Sequence, residues 1–219
     1  MIKLSFPKEL AGYLLEGNTA KAWKAIEQQK QLSLLDTYHE IITPAMQHVG
    51  FLWENNEISV ADEHLATVTC DFIISRLAHA RLGKEKQHSR RAMFLCLEGE
   101  QHYIGLKMVN SLFKENGWET KYFGSDLPAE FVVKSAEAWN PEVIGLSVSI
   151  VYHLPKLNEY ITELGKLPKP PVIIVGGRLS DQYDLRPYCS EDTMILKDLI
   201  EMRDWLKNEQ TTSKQDAAF

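Results

Sequence analysis

Glu100, His102 and Gly105 lie close together in the segment Leu95-Cys96-Leu97-Glu98-Gly99-Glu100-Gln101-His102-Tyr103-Ile104-Gly105-Leu106. Neutral imidazole binds a transition metal through one ring nitrogen, and a carboxylate accepting from the other nitrogen fixes the tautomer and raises basicity. Glu100-x-His102 has the spacing for that arrangement, and Gly105 would let a bulky ligand come close to the backbone. A solvated turn can carry the same residues, so the elements that hold them must decide. A second pair, Glu63-His64, follows Trp53 after nine intervening residues. Val60, Glu63, His64 and Thr67 share one helical face. That face is expected to continue into apolar residues, where an acid and an imidazole are awkward unless something polar is bound. The helix dipole alone would also favour an acid in a first turn. Trp53 taken by itself reads as core.

From Phe6 to Leu82 every segment has helical periodicity. Pro7 suits a first turn, and Gly17-Asn18 stops the first helix. A second helix is expected from Thr19 to about Gln29, and a third from Ser33 to Glu54, bent at Pro44. The fourth begins at Ser59, with Asp62 as its capping-box partner, and runs through Leu65, Val68, Phe72, Ile73 and Leu77 to Gly83. Short turns join these helices, which makes residues 1–83 a four-helix bundle. A polar linker is expected over 84–90.

Beyond it strands and helices alternate. Strands are expected at Ala92–Leu97, Glu119–Phe123, Val143–Ser147, Val172–Val175 and Thr193–Leu196, with helices near Ile104–Asn116, Ala129–Trp139, Lys156–Lys166 and Leu196–Lys207. The fold class is therefore α/β. Residues 91–208 are expected to form a flavodoxin-like, doubly wound sheet of five parallel strands, and 209–219 a disordered tail. In that order the first and third strands flank the switch point. Glu100, His102, Ser147, Ser149, Gly176 and Gly177 then all fall at the carboxyl ends of strands, where such sheets bind ligands.

The 219 residues are 44% hydrophobic and 25% charged, as in an ordinary soluble protein. A formal charge of −6 argues against a nucleic-acid surface. Cys70, Cys96 and Cys189 have unrelated spacings, which gives neither a disulfide framework nor a zinc site. No apolar run is long enough for a membrane span, and a cytoplasmic protein is expected.

A helical bundle followed by an x-x-His-x-x-Gly loop, a Ser after the third strand and a Gly-Gly after the fourth resembles the cobalamin-binding modules. These occur in methionine synthase, corrinoid methyl carriers and light-sensing regulators that use adenosylcobalamin. The resemblance covers about Phe6 to Lys207. It implies that His102 is the lower cobalt ligand, replacing the cofactor's own base, and that Glu100 orients it. Gly105, Ser147, Ser149, Gly176 and Gly177 would line the channel for the displaced nucleotide tail, with Gln101 and Tyr103 beside the ligand. Glu100 stands where most of the family has Asp, and Ser147-Val148-Ser149 replaces the usual Ser-x-Leu. The Glu form also occurs in the light-sensing branch.

Trp53, nine residues and Glu63-His64 look like the signature by which that branch binds the adenosyl group, with Val60 beside them. The resemblance thus implies an adenosylcobalamin light sensor, not an enzyme, that signals to a transcription regulator or other signalling protein, with self-association as a further outcome. Glu54 follows Trp53 where the light-sensing repressors carry a His. Those repressors also have an amino-terminal winged-helix domain, whereas about five residues precede the bundle here. The alternative reading is a corrinoid methyl carrier, which would hold methylcobalamin on a more open upper face. A mutase small subunit and a flavodoxin-like domain without corrinoid rank below it.

Overall fold

The computed structural model describes residues 5–81 and 90–216. The chain divides into two compact units, Met1–Gly83 and Lys84–Phe219.

Four helical rods build the first unit. α1 (Phe6–Leu15) opens with Pro7, whose missing N–H is an orphan in any first turn. Gly17, at φ +64°, turns the chain into α2 (Thr19–Glu27), where Asn18 Oδ1 accepts the Lys21 N–H at 3.1 Å. The third rod is composite: α3 (Leu34–Thr37), a π-helical turn (Tyr38–Ile42) and α4 (Thr43–Glu54). Pro44 has no N–H for the carbonyl four residues back, and its ring crowds that carbonyl. The wider turn, in which the Thr43 N–H bonds Tyr38 O, relieves the conflict. α5 (Val60–Arg81) starts with the expected capping box: Ser59 Oγ accepts the Asp62 N–H at 3.2 Å, and Asp62 Oδ2 accepts the Ser59 N–H at 2.8 Å.

The core of this unit is Leu10, Leu14, Ile26, Tyr38, Ile42, Val49, Ile73 and Ile74. On α5 the buried face is Ala66, Thr69, Cys70, Ile73, Ile74 and Leu77. Leu65, Val68 and Phe72, part of the apolar repeat that defined this helix in the sequence, are exposed.

In the second unit five parallel strands form one sheet in the order β2-β1-β3-β4-β5. The strands are β1 (Arg90–Leu97), β2 (Trp118–Leu127), β3 (Val143–Ser147), β4 (Val172–Gly176) and β5 (Met194–Ile195). Between them run α6 (Ile104–Glu115), α7 (Ala129–Trp139), α8 (Leu154–Gly165) and α9 (Leu179–Gln182), and α10 (Leu199–Asp216) follows. The chain steps from β1 outward to β2 and then back across to β3, so the strand order reverses between β1 and β3.

The two faces of the sheet differ. Met93, Leu95, Ile144, Leu146, Ile173 and Val175 point to one face and pack against Val132 of α7 and Leu157, Ile161 and Leu164 of α8. Side chains alternate along a strand, so the opposite face carries the rows Phe94–Gly145–Ile174 and Cys96–Ser147–Gly176. There Phe94 meets Phe113 of α6 edge-on at 4.8 Å, and Phe113 stacks at 5.8 Å on Trp205 of α10. A Cβ at Gly145 would lie 2.6 Å from the Phe94 ring, so only glycine fits beneath it.

Two boundaries differ from the sequence reading. The linker expected over 84–90 lies outside the described residues except for Arg90, which is the first residue of β1. α10 continues to Asp216 instead of giving way to a disordered tail at 209, because residues 209–216 contain no glycine or proline to stop a helix. Residues 217–219 lie outside the described residues. No helix among the described residues is long and apolar enough to cross a membrane.

Candidate functional site

The β1–α6 loop is built around a carboxylate that water does not reach. Gly99 adopts φ +85° and donates its N–H to Asp126 Oδ1 at 2.8 Å, while the Glu100 N–H returns to Leu97 O at 2.9 Å. This tight turn sends the Glu100 side chain inward, where it is fully buried. Oε1 accepts the backbone N–H of His102 at 3.0 Å and lies 2.5 Å from His102 Nδ1. Oε2 accepts the Ser149 N–H at 2.7 Å and lies 3.3 Å from His153 Nδ1. Four hydrogen bonds saturate the carboxylate and join the loop after β1 to the loop after β3.

Burial alone would raise the Glu100 pKa. The bonds from the His102 ring and N–H and from the Ser149 N–H outweigh it, together with the nearby imidazole charge, and hold the carboxyl at about 2. An ionised carboxylate only accepts, so Nδ1 of His102 is the donor to it and Nε2 is the ring nitrogen left for another partner. The His102 side chain is 45% exposed, so that nitrogen is within reach of an outside group. Cys96 beneath it is not a competing ligand. Burial, reinforced by the Glu100 charge, pushes its thiol up to about 12.

The other expected residues of this unit fall around the same loops. The Ser147 hydroxyl is buried and points to His102 O at 3.5 Å. Ser149 contributes its backbone N–H to Glu100, and its hydroxyl accepts the Arg178 N–H at 3.4 Å. Gly177 has φ +114°, and a Cβ there would lie 2.3 Å from Val148 O, so the β3 and β4 loops touch backbone to backbone. Gly176 is less constrained, with Leu196 O 3.6 Å from a Cβ position. Gly105 has open space where a Cβ would stand. Gln101 is exposed, and Tyr103 is partly buried, its carbonyl accepting from Tyr122 at 3.5 Å. His153 was not legible in the sequence, because nothing in its spacing links it to Glu100. Only the return of the β3 loop to the β1 loop does so.

In the first unit Trp53 is the last residue but one of α4 and is 45% exposed, a correction to its reading as core. Val60, Glu63, His64 and Thr67 do share a face of α5. Glu63 Oε1 accepts from the Thr67 hydroxyl at 2.8 Å, and His64 Nδ1 lies 2.9 Å from Val60 O and 3.0 Å from Glu63 Oε2. Contrary to expectation this face does not run into the core. Val60 and His64 are exposed, and the buried stripe begins at Ala66.

Among the described residues no group of three or more His, Cys, Asp or Glu side chains could hold a metal ion. His102 therefore offers one oriented nitrogen, a donor set that suits a metal whose remaining in-plane positions a macrocycle already fills. Gly105 leaves room beside it.

The B12 binding domain model matches residues 90–193, and a second B12 binding domain model matches residues 8–78. The HTH-type transcriptional repressor CarH of Myxococcus xanthus is 28% identical over 145 residues, 65% of this chain and 47% of the repressor, so the chain spans about half of that relative. Dimethylamine corrinoid protein 1 of Methanosarcina acetivorans is 24% identical over 187 residues, 83% of this chain and 87% of that protein. The structure of the Methanosarcina barkeri monomethylamine corrinoid protein has the same fold, with a TM-score of 0.74 at 20% identity over 91% of this chain and 96% of that one.

Proposed function

The chain belongs to the family of B12-binding domains, and from that premise we propose that it is an adenosylcobalamin light sensor that signals to a protein partner. Cobalamin is its cofactor, and its role is to hold and present that cofactor rather than to turn over a substrate. The observation that carries the reading is the outward Nε2 of His102, held in one tautomer by the buried Glu100. His102 would take the lower cobalt position. Gln101, Tyr103, Gly105, Ser147, Ser149, Gly176 and Gly177 would form the surface around it.

On the bundle, Trp53, Val60, Glu63 and His64 would receive the adenosyl group. The exposed indole and the Val60 side chain offer apolar cover, and Glu63 and His64 offer polar partners for a nucleoside. Bound cobalamin would supply a cobalt–carbon bond that light can break. With the nucleoside gone, Trp53 and Val60 return to water and Glu63 and His64 lose a partner. That difference in contacts is what biases the bundle between two arrangements. Glu54 holds the position after Trp53, so a second imidazole would have to come from His64, whose Nδ1 is engaged by Val60 and Glu63. A transcription regulator or other signalling protein, or a second copy of the chain, would read the change.

A methyl carrier is the second reading, favoured by the match to nearly the whole length of the dimethylamine corrinoid protein. The test is reconstitution in the dark with adenosylcobalamin and methylcobalamin, followed by visible spectra and sizing before and after illumination. Preference for the adenosyl form with a light-dependent change in assembly or partner binding supports the sensor. Tight methylcobalamin binding with no response to light would replace it with the carrier.

A further inference from the structure

α5 carries three faces. Ala66, Thr69, Cys70, Ile73, Ile74 and Leu77 are buried in the bundle, and Val60, Glu63, His64 and Thr67 form a second face. The third is apolar and bare: Leu65 is 45%, Val68 65% and Phe72 48% exposed. At 100° per residue these three side chains fall within about 60° of one another, about 140° from the buried face and about 120° from the second one. A contiguous apolar stripe in water marks a contact surface. Opposite charges frame it. Asp62 lies about one turn before Leu65 and Arg76 about one turn after Phe72, both displaced to the same side of the stripe. Ser59 bonds Asp62 Oδ2, and a guanidinium can take Oδ1. Arg76 lies with its guanidinium carbon 4.1 Å from the centre of the Trp23 ring, a face-on contact that keeps its in-plane N–H donors.

We propose that this stripe is the interface of a two-fold dimer, in which α5 packs antiparallel on α5 of a second copy of the chain. A two-fold axis lying in the interface and crossing the helices beside Val68 sets Val68 against its own copy and Leu65 against Phe72 of the second copy, twice. Such a rotation preserves sideways displacement, so Asp62 of each chain meets Arg76 of the other. A parallel pairing would instead set Asp62 on Asp62 and Arg76 on Arg76, which like charges oppose. The stripe is therefore complementary to itself in one orientation, and that selects a second copy as the occupant. One helix face buries less than a permanent interface needs, so the dimer dissociates reversibly. It requires no cofactor, and neither Val60 nor His64 takes part.

The test is sedimentation of the full chain, without cofactor, from about 1 to about 100 µM, a range that brackets a dimer of this size. The wild type should pass from monomer to dimer. Val68→Lys, which puts two ammonium groups on the axis, should weaken the dimer by about tenfold or more while melting like the wild type at low concentration. Asp62→Lys and Arg76→Glu should each weaken it too, and an equimolar mixture of the two should recover a dimer, because one chain then restores the pair that the other lacks. Under mild oxidation Val68→Cys should form a disulfide dimer and Ala61→Cys, also exposed but off the axis, should not. A dimer untouched by Val68→Lys, no recovery in the mixture, or equal cross-linking at both positions would overturn the proposal. So would a wild type that stays monomeric. In that case a Val68→Cys thiol shielded from maleimide would assign the stripe to the other unit of the same chain, and a reactive one would leave it to a different protein.

Discussion

His153 and Glu100 are 53 residues apart in the chain, yet His153 Nδ1 lies 3.3 Å from Glu100 Oε2. One carboxylate is thus shared by two imidazoles, His102 on one oxygen and His153 on the other. The bond to His153 is the longer of the two and spans two loops, so its removal loosens Glu100 without touching His102. His153→Ala should lower stability by about 1 kcal/mol and reduce the share of bound cobalamin coordinated by His102. His153→Gln, which keeps an N–H donor, should restore most of both. Spectra of the two variants loaded with cobalamin provide the check, and identical behaviour of Ala and Gln would show that His153 only fills space.

Glu100→Gln keeps the shape and removes the charge. The folded carboxyl sits at about 2 against an ordinary 4.5, so its contribution to stability is complete above pH 4.5 and lost as the pH falls toward 2. Wild-type protein should exceed the variant by about 3 kcal/mol at neutral pH, and the gap should close between those two values. Urea midpoints measured from pH 7 downward would show it. Cobalamin affinity should also fall by roughly 10- to 100-fold, the usual effect of losing a carboxylate that orients a ligand imidazole.

Gly177→Ala forces a Cβ to within 2.3 Å of Val148 O at a φ of +114°. The β3 and β4 loops must part, at a cost of about 3 kcal/mol from strain and lost packing. A thermal melt within a degree or two of wild type would mean that the loops do not meet as described. Gly105→Ala is the control, because it has open space at the same atom, and it should cost little stability.

Trp53→Ala removes a half-exposed indole and should cost about 1 kcal/mol or less. The variant should still bind cobalamin but lose its preference for the adenosyl over the methyl form. Side-by-side titrations with the two cofactors decide it, and an undiminished preference would remove Trp53 from the adenosyl site.

The two architectures were legible because each rests on one period: 3.6 residues through the bundle, and alternation of apolar strands with amphipathic helices beyond it. The contact between Glu100 and His102 was legible because the two are local in sequence. Two features were not. Glu100 reaches the Ser149 N–H and His153 through a strand crossover that no spacing encodes. Leu65, Val68 and Phe72 satisfied a helical repeat while lying outside the core, because Ala66, Thr69 and Cys70 do the close packing.

The π turn at Tyr38–Ile42 amounts to one surplus residue in an otherwise α-helical rod. A surplus residue advances every later side chain by about 100° around the axis. Val49 still finds the interior, and the indole at the rod's far end swings out toward solvent. Shortening that turn by a single residue would swing Val49 and Trp53 together by about 100° around the rod while leaving each residue downstream chemically unaltered. The aim of Trp53 is thus set about two and a half helical turns away, by a proline that the rod had to accommodate.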